Sequence, residues 1–202
     1  MNEVRFRIPV SGNEVRGLEL GDLVYLEGLV ISWRDRAFTR FFELLGRGER
    51  LPVNLRGAVH WHCGPITKRV DSRWEVVSAG STTSLRFTDQ EAKAIRDWGI
   101  RLVIGKGGMG SETVKAMSEC GAAYLETVGG AASLYAKKIK EVKDVYWLEL
   151  GMPEAIWVFQ VENFGPLLVT IDSKGNSLYE EVMRRVNENR LKEYENLQAQ
   201  ME

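Results

Sequence analysis

Residues 101–127 read RLVIGKGGMGSETVKAMSECGAAYLET. Leu102-Val103-Ile104 is a short apolar run of the kind that forms a buried strand. Gly105, Gly107 and Gly110 follow in the pattern G-x-G-x-x-G, then a helix-like run, then a second strand ending at Glu126. A strand, a glycine turn, a helix and a strand make a βαβ unit, and this decides the fold class as α/β. An acidic residue about twenty positions past the first glycine is where a dinucleotide site places its ribose ligand. Two features oppose that reading. Lys106 sits inside the fingerprint, where a neutral residue lets a pyrophosphate meet backbone amides. The βα alternation also starts only halfway along the chain, leaving room for half of a doubly wound fold. A P-loop fails as well, because no Ser or Thr follows the lysine. What survives is an anion-binding turn that carries a cation at a helix start. The bland alternative is a tight turn with a solvent-facing Lys106.

Outward from this stretch the rhythm continues. A helix over 89–97, with Thr88 as its N-cap, leads to the strand at 101–104. A helix over 111–119 leads to a strand at 123–126, and one over 131–140 to a strand at 145–149. This alternation predicts a mostly parallel sheet. WVFQVENFGPLLVTIDSKGNSLY then supplies two further strands and a DSKGN turn. The segment 178–202 reads as a charged helix, either a solvated terminal helix or one that docks a partner. The organisation expected is a domain over 1–182 and a helical tail over 183–202.

The first half is β-rich. VRFRIPV alternates, LELG is a turn, and GDLVYLEGLVIS carries two apolar runs around a glycine. Phe38, Phe41, Phe42 and Leu45 then follow helical spacing until Gly46 and Gly48 stop the run. LPVNLRGAVHWHCGP returns to alternation and ends in the turn signal Gly64-Pro65.

Composition excludes several classes. The 202 residues suffice for one domain or two small ones, and 44% hydrophobic with 27% charged is ordinary for a globular protein. A net charge of −1 gives no footprint for nucleic acid. No long apolar run suggests a signal peptide or a membrane span. Two cysteines, Cys63 and Cys120, are no disulfide framework, so a reducing cytoplasm is expected. They are also too few to ligate an iron–sulfur cluster.

Four further clusters carry candidate chemistry. Ser81, Thr82, Thr83 and Ser84, followed by Arg86, suit a loop that grips carboxylate or phosphate, or else a turn capping the next helix. Arg34 at a strand-to-helix boundary is a second candidate clamp, with Asp35 as N-cap and Arg36 beyond; the alternative is an exposed helix start. His60 and His62 share a strand face. A metal needs a third ligand and the chain has no other histidine, so a structural strand is preferred. Gly129-Gly130 permits close backbone approach or tight helix packing.

In this order, RDRAF, LPVNLRGAV with HCGP, STTSLR, IGKGGM, GAAYLETVGGAASLYAKKIK and LGMPEAIWVFQVENFGPLLVTIDSKGNSLY resemble the β subunit, or C-terminal domain, of the iron–sulfur hydro-lyases: class I fumarase and L(+)-tartrate dehydratase. The resemblance spans roughly 5–182. It implies a swivelling β/β/α domain with its site on a face shared with a partner. It implies reversible loss of water from a C4 dicarboxylate, fumarate to malate or L-tartrate to oxaloacetate. The iron–sulfur (4Fe–4S) cluster would be held by an α subunit in an αβ or α2β2 assembly, not by this chain. Carried over residue by residue, Arg34, Thr83, Arg86 and Lys106 would bind substrate and Thr82 would abstract the proton. Glu126 then needs no ribose and is a polar strand end. Ser81 stands where the family often has Pro, Phe87 where Met is usual, and Pro153 is a further departure; none removes a charged ligand. The rival classes are an NAD(P)-binding oxidoreductase domain and a non-catalytic ligand-binding domain.

Overall fold

The computed structural model describes residues 1–201; Glu202, the end of the expected tail, lies outside the described residues. The chain runs β1 (Glu3–Arg7), α1 (Gly12–Val15), β2 (Leu23–Ser32), α2 (Asp35–Gly46), β3 (Val59–Trp61), β4 (Ile66–Val70), β5 (Arg73–Ser78), α3 (Thr88–Trp98), β6 (Leu102–Gly105), α4 (Ser111–Cys120), β7 (Ala123–Glu126), α5 (Ala132–Ala136), β8 (Ile139–Tyr146), β9 (Ile156–Ile171) and α6 (Leu178–Met201).

The opening stretch folds as read. β6 is buried at every position and pairs parallel to β3 on one side and β7 on the other. β2 pairs parallel to β3 and to β1. The sheet is nevertheless mixed rather than mostly parallel. β9 runs antiparallel to β2, to β7 and to β8. Because β9 bonds both β2 and β7, the strands close a ring: β2, β3, β6, β7, β9 and back to β2.

Alternation along the strands splits the interior in two. Leu26, Trp61, Leu102, Ile104, Leu125, Phe159 and Phe164 point to one apolar core. Ile31, Val103 and Tyr124 point the other way, toward Phe38 and Phe41 of α2, Ile95 and Trp98 of α3 and Met117 of α4. The period-2 and period-3.6 patterns thus meet on one face of the sheet.

Several expectations need correction. The strand placed at 145–149 is β8 at Ile139–Tyr146, and the helix at 131–140 is the short α5. The β8 register shifts twice against β9, and a strand that irregular shows no clean period. IWVFQVENFGPLLVTI is one 16-residue strand, bent where Asn163 takes φ 47°. The β4–β5 hairpin, which ends the run between Gly64-Pro65 and the hydroxyl cluster, had no reading. Thr88 and Asp35 are not N-caps. A single 3-10 turn, Leu85–Phe87, feeds directly into α3, so Thr88 is its first helical residue. Arg34 occupies the cap position of α2 without a side-chain cap bond, and Asp35 begins the helix. Added Cβ atoms at Gly129 and Gly130 would meet nothing, so this pair mediates no close packing within the chain among the described residues.

Candidate functional site

β2, β3, β6 and β7 run in the same direction, so their carboxyl ends form one edge. In α/β sheets this edge is where ligands bind. Arg34 follows β2, Cys63-Gly64 follows β3, Lys106 follows β6 and Glu126 closes β7. The segment returning from β5 crosses this edge. Ser81 bridges Cys63, and Thr83 pairs with Lys106. The Thr82 amide donates to the His62 carbonyl at 2.7 Å, and the Ser84 amide to the Lys106 carbonyl at 2.8 Å. Arg34 lies over Gly64, where a Cβ would come within 2.7 Å of its Nη1. The Arg86 guanidinium donates to Asp35 at 2.7 Å, and Arg34 Nε stands 3.9 Å from the same oxygen. Arg34 Nη2 reaches Glu154 at 3.0 Å. Arg34, Thr82, Thr83, Arg86 and Lys106 therefore lie along one continuous edge, from loops that are remote in sequence.

The glycine loop works differently from a phosphate cradle. The Gly107 amide donates to Glu126 at 2.9 Å, and the Gly110 amide to the Thr88 hydroxyl at 3.0 Å. The carboxylate that a ribose would need is already engaged with the loop. Burial raises the Glu126 pKa, against the lowering pull of the Tyr179 hydroxyl and then of the loop amides. Gly105 is required by close approach: a Cβ there would sit 1.8 Å from Ser84 Oγ and 2.7 Å from the Tyr124 hydroxyl. Gly107 has φ +79°, which a residue with a side chain rarely adopts. What the loop offers outward is Lys106.

Behind this edge lies a polar web. His60 Nδ1 is 2.7 Å and His62 Nε2 is 3.1 Å from the same Glu91 oxygen, and all three side chains are fully buried. His62 Nδ1 is 2.8 Å from Ser84 Oγ, and the Tyr124 hydroxyl donates to Ser84 Oγ at 2.8 Å. The His60 ring stacks on Trp33 with centroids 3.4 Å apart. The two histidines do share a strand face, as the period-2 spacing predicts, and their rings sit 4.5 Å apart. Burial and the His60 charge push the His62 pKa down to about 4, against the raising effect of Glu91. For Glu91, burial raises the pKa, but His60 charge and hydrogen bonds from both histidines outweigh it and bring it down to about 2.

Glu91 had no reading in the sequence, although a signal is there. Positions 91, 92, 94, 95 and 98 form the buried stripe of α3, so an acid occupies its apolar face. A carboxylate on such a stripe calls for a buried base or donor, and HWH is the segment that supplies bases. Its place in the first turn of α3 also favours the anion.

A family model described as "Fumarase C-terminus" matches residues 1–182. The chain belongs to this family. It is 46% identical over 180 residues to a putative L(+)-tartrate dehydratase subunit beta of Methanocaldococcus jannaschii, covering 89% of this chain and 92% of the relative. It is 39% identical over 173 residues to the L(+)-tartrate dehydratase subunit beta of Escherichia coli, covering 86% and 85%. It is also 39% identical over 180 residues to a putative fumarate hydratase class I of Geobacillus stearothermophilus, of which it spans 34%.

For this member of the fumarase C-terminus family, the cysteines do not suit a cluster. Cys63 is buried after β3, and a cluster takes several thiolates that converge on one place. Cys120 stands alone at the C-terminal end of α4. No helix is long and apolar enough to cross a membrane among the described residues.

Proposed function

We propose that the chain is the β subunit of an iron–sulfur hydro-lyase that adds or removes water on a C4 dicarboxylate, fumarate or L-tartrate. The convergence of Arg34, the Thr82–Thr83 pair, Arg86 and Lys106 on one strand edge carries this reading. Two arginines and a lysine offer more than one cation to two carboxylates, and a guanidinium can grip a carboxylate through two parallel hydrogen bonds. Thr82 takes the proton from carbon, with Thr83 beside it binding substrate. A threonine hydroxyl is a poor base, and nearby cations are what favour its ionised form. Asp35 and Glu154 hold the two guanidinium groups in place until substrate carboxylates compete for them.

The 4Fe–4S cluster belongs to the α subunit, in an αβ or α2β2 assembly, and supplies Lewis acidity there. This chain provides the opposite wall of the site, which accounts for a candidate site on an edge. The two-sided sheet fits a swivelling β/β/α domain over 1–182, with the tail over 183–202 as an appendage and the cytoplasm as its setting. An anaerobic pull-down of the tagged chain from its native extract, assayed at once for fumarate hydration and L-tartrate dehydration, tests the proposal. A brown partner with either activity is expected and names the substrate. A colourless chain without partner or turnover defeats it, and NAD titration then tests the oxidoreductase rival.

A further inference from the structure

Ser84 is the most deeply buried member of the hydroxyl cluster. It is completely buried, and its hydroxyl lies 2.8 Å from both His62 Nδ1 and the Tyr124 hydroxyl. Its own amide is tied to the Lys106 carbonyl at 2.8 Å, and its neighbour Thr83 pairs with Lys106. The loop bearing Thr82 and the loop bearing Lys106 are therefore joined at this residue. Gly105 leaves the space into which the Ser84 hydroxyl fits.

The direction of each hydrogen bond follows from Glu91. An ionised carboxylate only accepts, so His60 Nδ1 and His62 Nε2 both carry the hydrogen they share with it. His62 is neutral at pH 7, since burial and the His60 charge bring its pKa to about 4, so its Nδ1 is a bare acceptor. Ser84 must then donate to His62, and Tyr124 must donate to Ser84. The web has one orientation, running from Tyr124 through Ser84 and His62 to Glu91. His60, stacked on Trp33, closes the far side.

We propose that Ser84 is a positioning residue, a latch whose hydroxyl direction is set by Glu91 through His62 and which holds Thr82 and Thr83 in register with Lys106. The catalytic half of this inference rests on the hydro-lyase reading; the orientation of the web does not. Loosening the latch leaves the cations able to attract a dicarboxylate but misplaces Thr82. The penalty should fall on kcat, because small displacements of a reacting group slow chemistry by large factors while charge attraction persists.

Two measurements test it. In the first, ¹⁵N NMR of imidazole nitrogens is recorded on the isolated chain at neutral pH. A His62 ring bare at Nδ1 and protonated at Nε2, with mixed tautomers after Glu91→Gln, supports the orientation. A wild-type His62 protonated at Nδ1 overturns it. In the second, Tyr124→Phe and Ser84→Ala chains are assembled with the α subunit and assayed on whichever diacid the wild type turns over. Tyr124→Phe removes a single hydroxyl and guards against a Ser84→Ala chain that fails to fold. A fall in kcat of roughly ten- to a hundredfold with KM within about threefold is expected. An unchanged kcat in a folded variant, or a loss carried by KM, overturns the latch. If the wild-type assembly acts on neither diacid, the hydro-lyase reading and the latch's catalytic half fall together, while the NMR result still decides the web's orientation.

Discussion

β3 has two unlike sides. Trp61 points into an apolar core with Phe159 and Phe164, where ring centroids lie 6.2 and 5.0 Å away. On either side of it, His60 and His62 point the opposite way, into a web of charge and hydroxyl groups that is equally buried. The apolar side gains stability through burial area and shape, which are non-directional. The polar side depends on every donor finding its acceptor, because an unpaired buried group is expensive. A tie crosses between the two roles: the Trp61 indole donates to Ser81 Oγ at 2.7 Å. This strand does two jobs, cohesion on one face and geometry of the candidate site on the other.

The most severe test is on the apolar face. Phe159→Ala should lower unfolding free energy by about 3–5 kcal/mol in urea titrations while leaving the kcat of any folded assembly nearly unchanged. A large kcat loss would show that the two sides are not separable. Next in size, Lys106→Ala should keep the chain's stability. Losing one charged hydrogen-bond partner should cut kcat/KM by about 1.5–3 kcal/mol, roughly ten- to a hundredfold. Near-normal turnover would remove Lys106 from the site.

Acid should separate the faces by another route. The folded pKa of His62 is about 4, below its ordinary 6.5, so the folded state holds the neutral ring. Its contribution is complete above pH 6.5 and is lost as pH falls toward 4. Glu91, lowered from 4.5 to about 2, adds a second loss between those values. Each proton taken up on unfolding gives a slope of at most about 1.4 kcal/mol per pH unit. The groups facing His62 are Glu91 on α3, Tyr124 on β7, His60 on β3, and Ser84 and Arg86 on the hydroxyl segment. Urea midpoints measured from pH 7 to 4 should fall in wild type, and Phe159→Ala should follow a parallel line. A flat wild-type profile would mean that the web is not charged as described. The smallest effect belongs to the tail. Val182, Met183, Val186 and Leu191 of α6 are more than half or about half exposed, and the family match stops at 182. Removing 187–202 should move unfolding free energy by no more than about 0.5 kcal/mol.

Much of this was legible in the chain itself. The β6–α4–β7 unit and the α2 and α3 helices stand where their patterns put them, because glycine turns, helical spacing and short buried strands are local signals. β9 was read as two strands because its bend at Asn163 resembles a turn, and β8 was misplaced because its bulges blur the period. The Gly105 fingerprint was visible, but its cause was not. It is the Ser84 and Tyr124 hydroxyls beneath it, contributed by residues distant in sequence.

The sequence by itself determined the α/β class, the alternation that divides β3 into a tryptophan side and a histidine side, and the order of motifs that marks the family. These depend on residue type and near-neighbour spacing, which the chain carries in one dimension. Only the tertiary structure decided that β9 closes the ring of strands, that Glu126 returns to the glycine loop, and that Glu91 lies between two histidines behind Thr82 and Lys106. Those outcomes depend on which groups approach within hydrogen-bonding distance after the sheet assembles, and no local pattern encodes such distances.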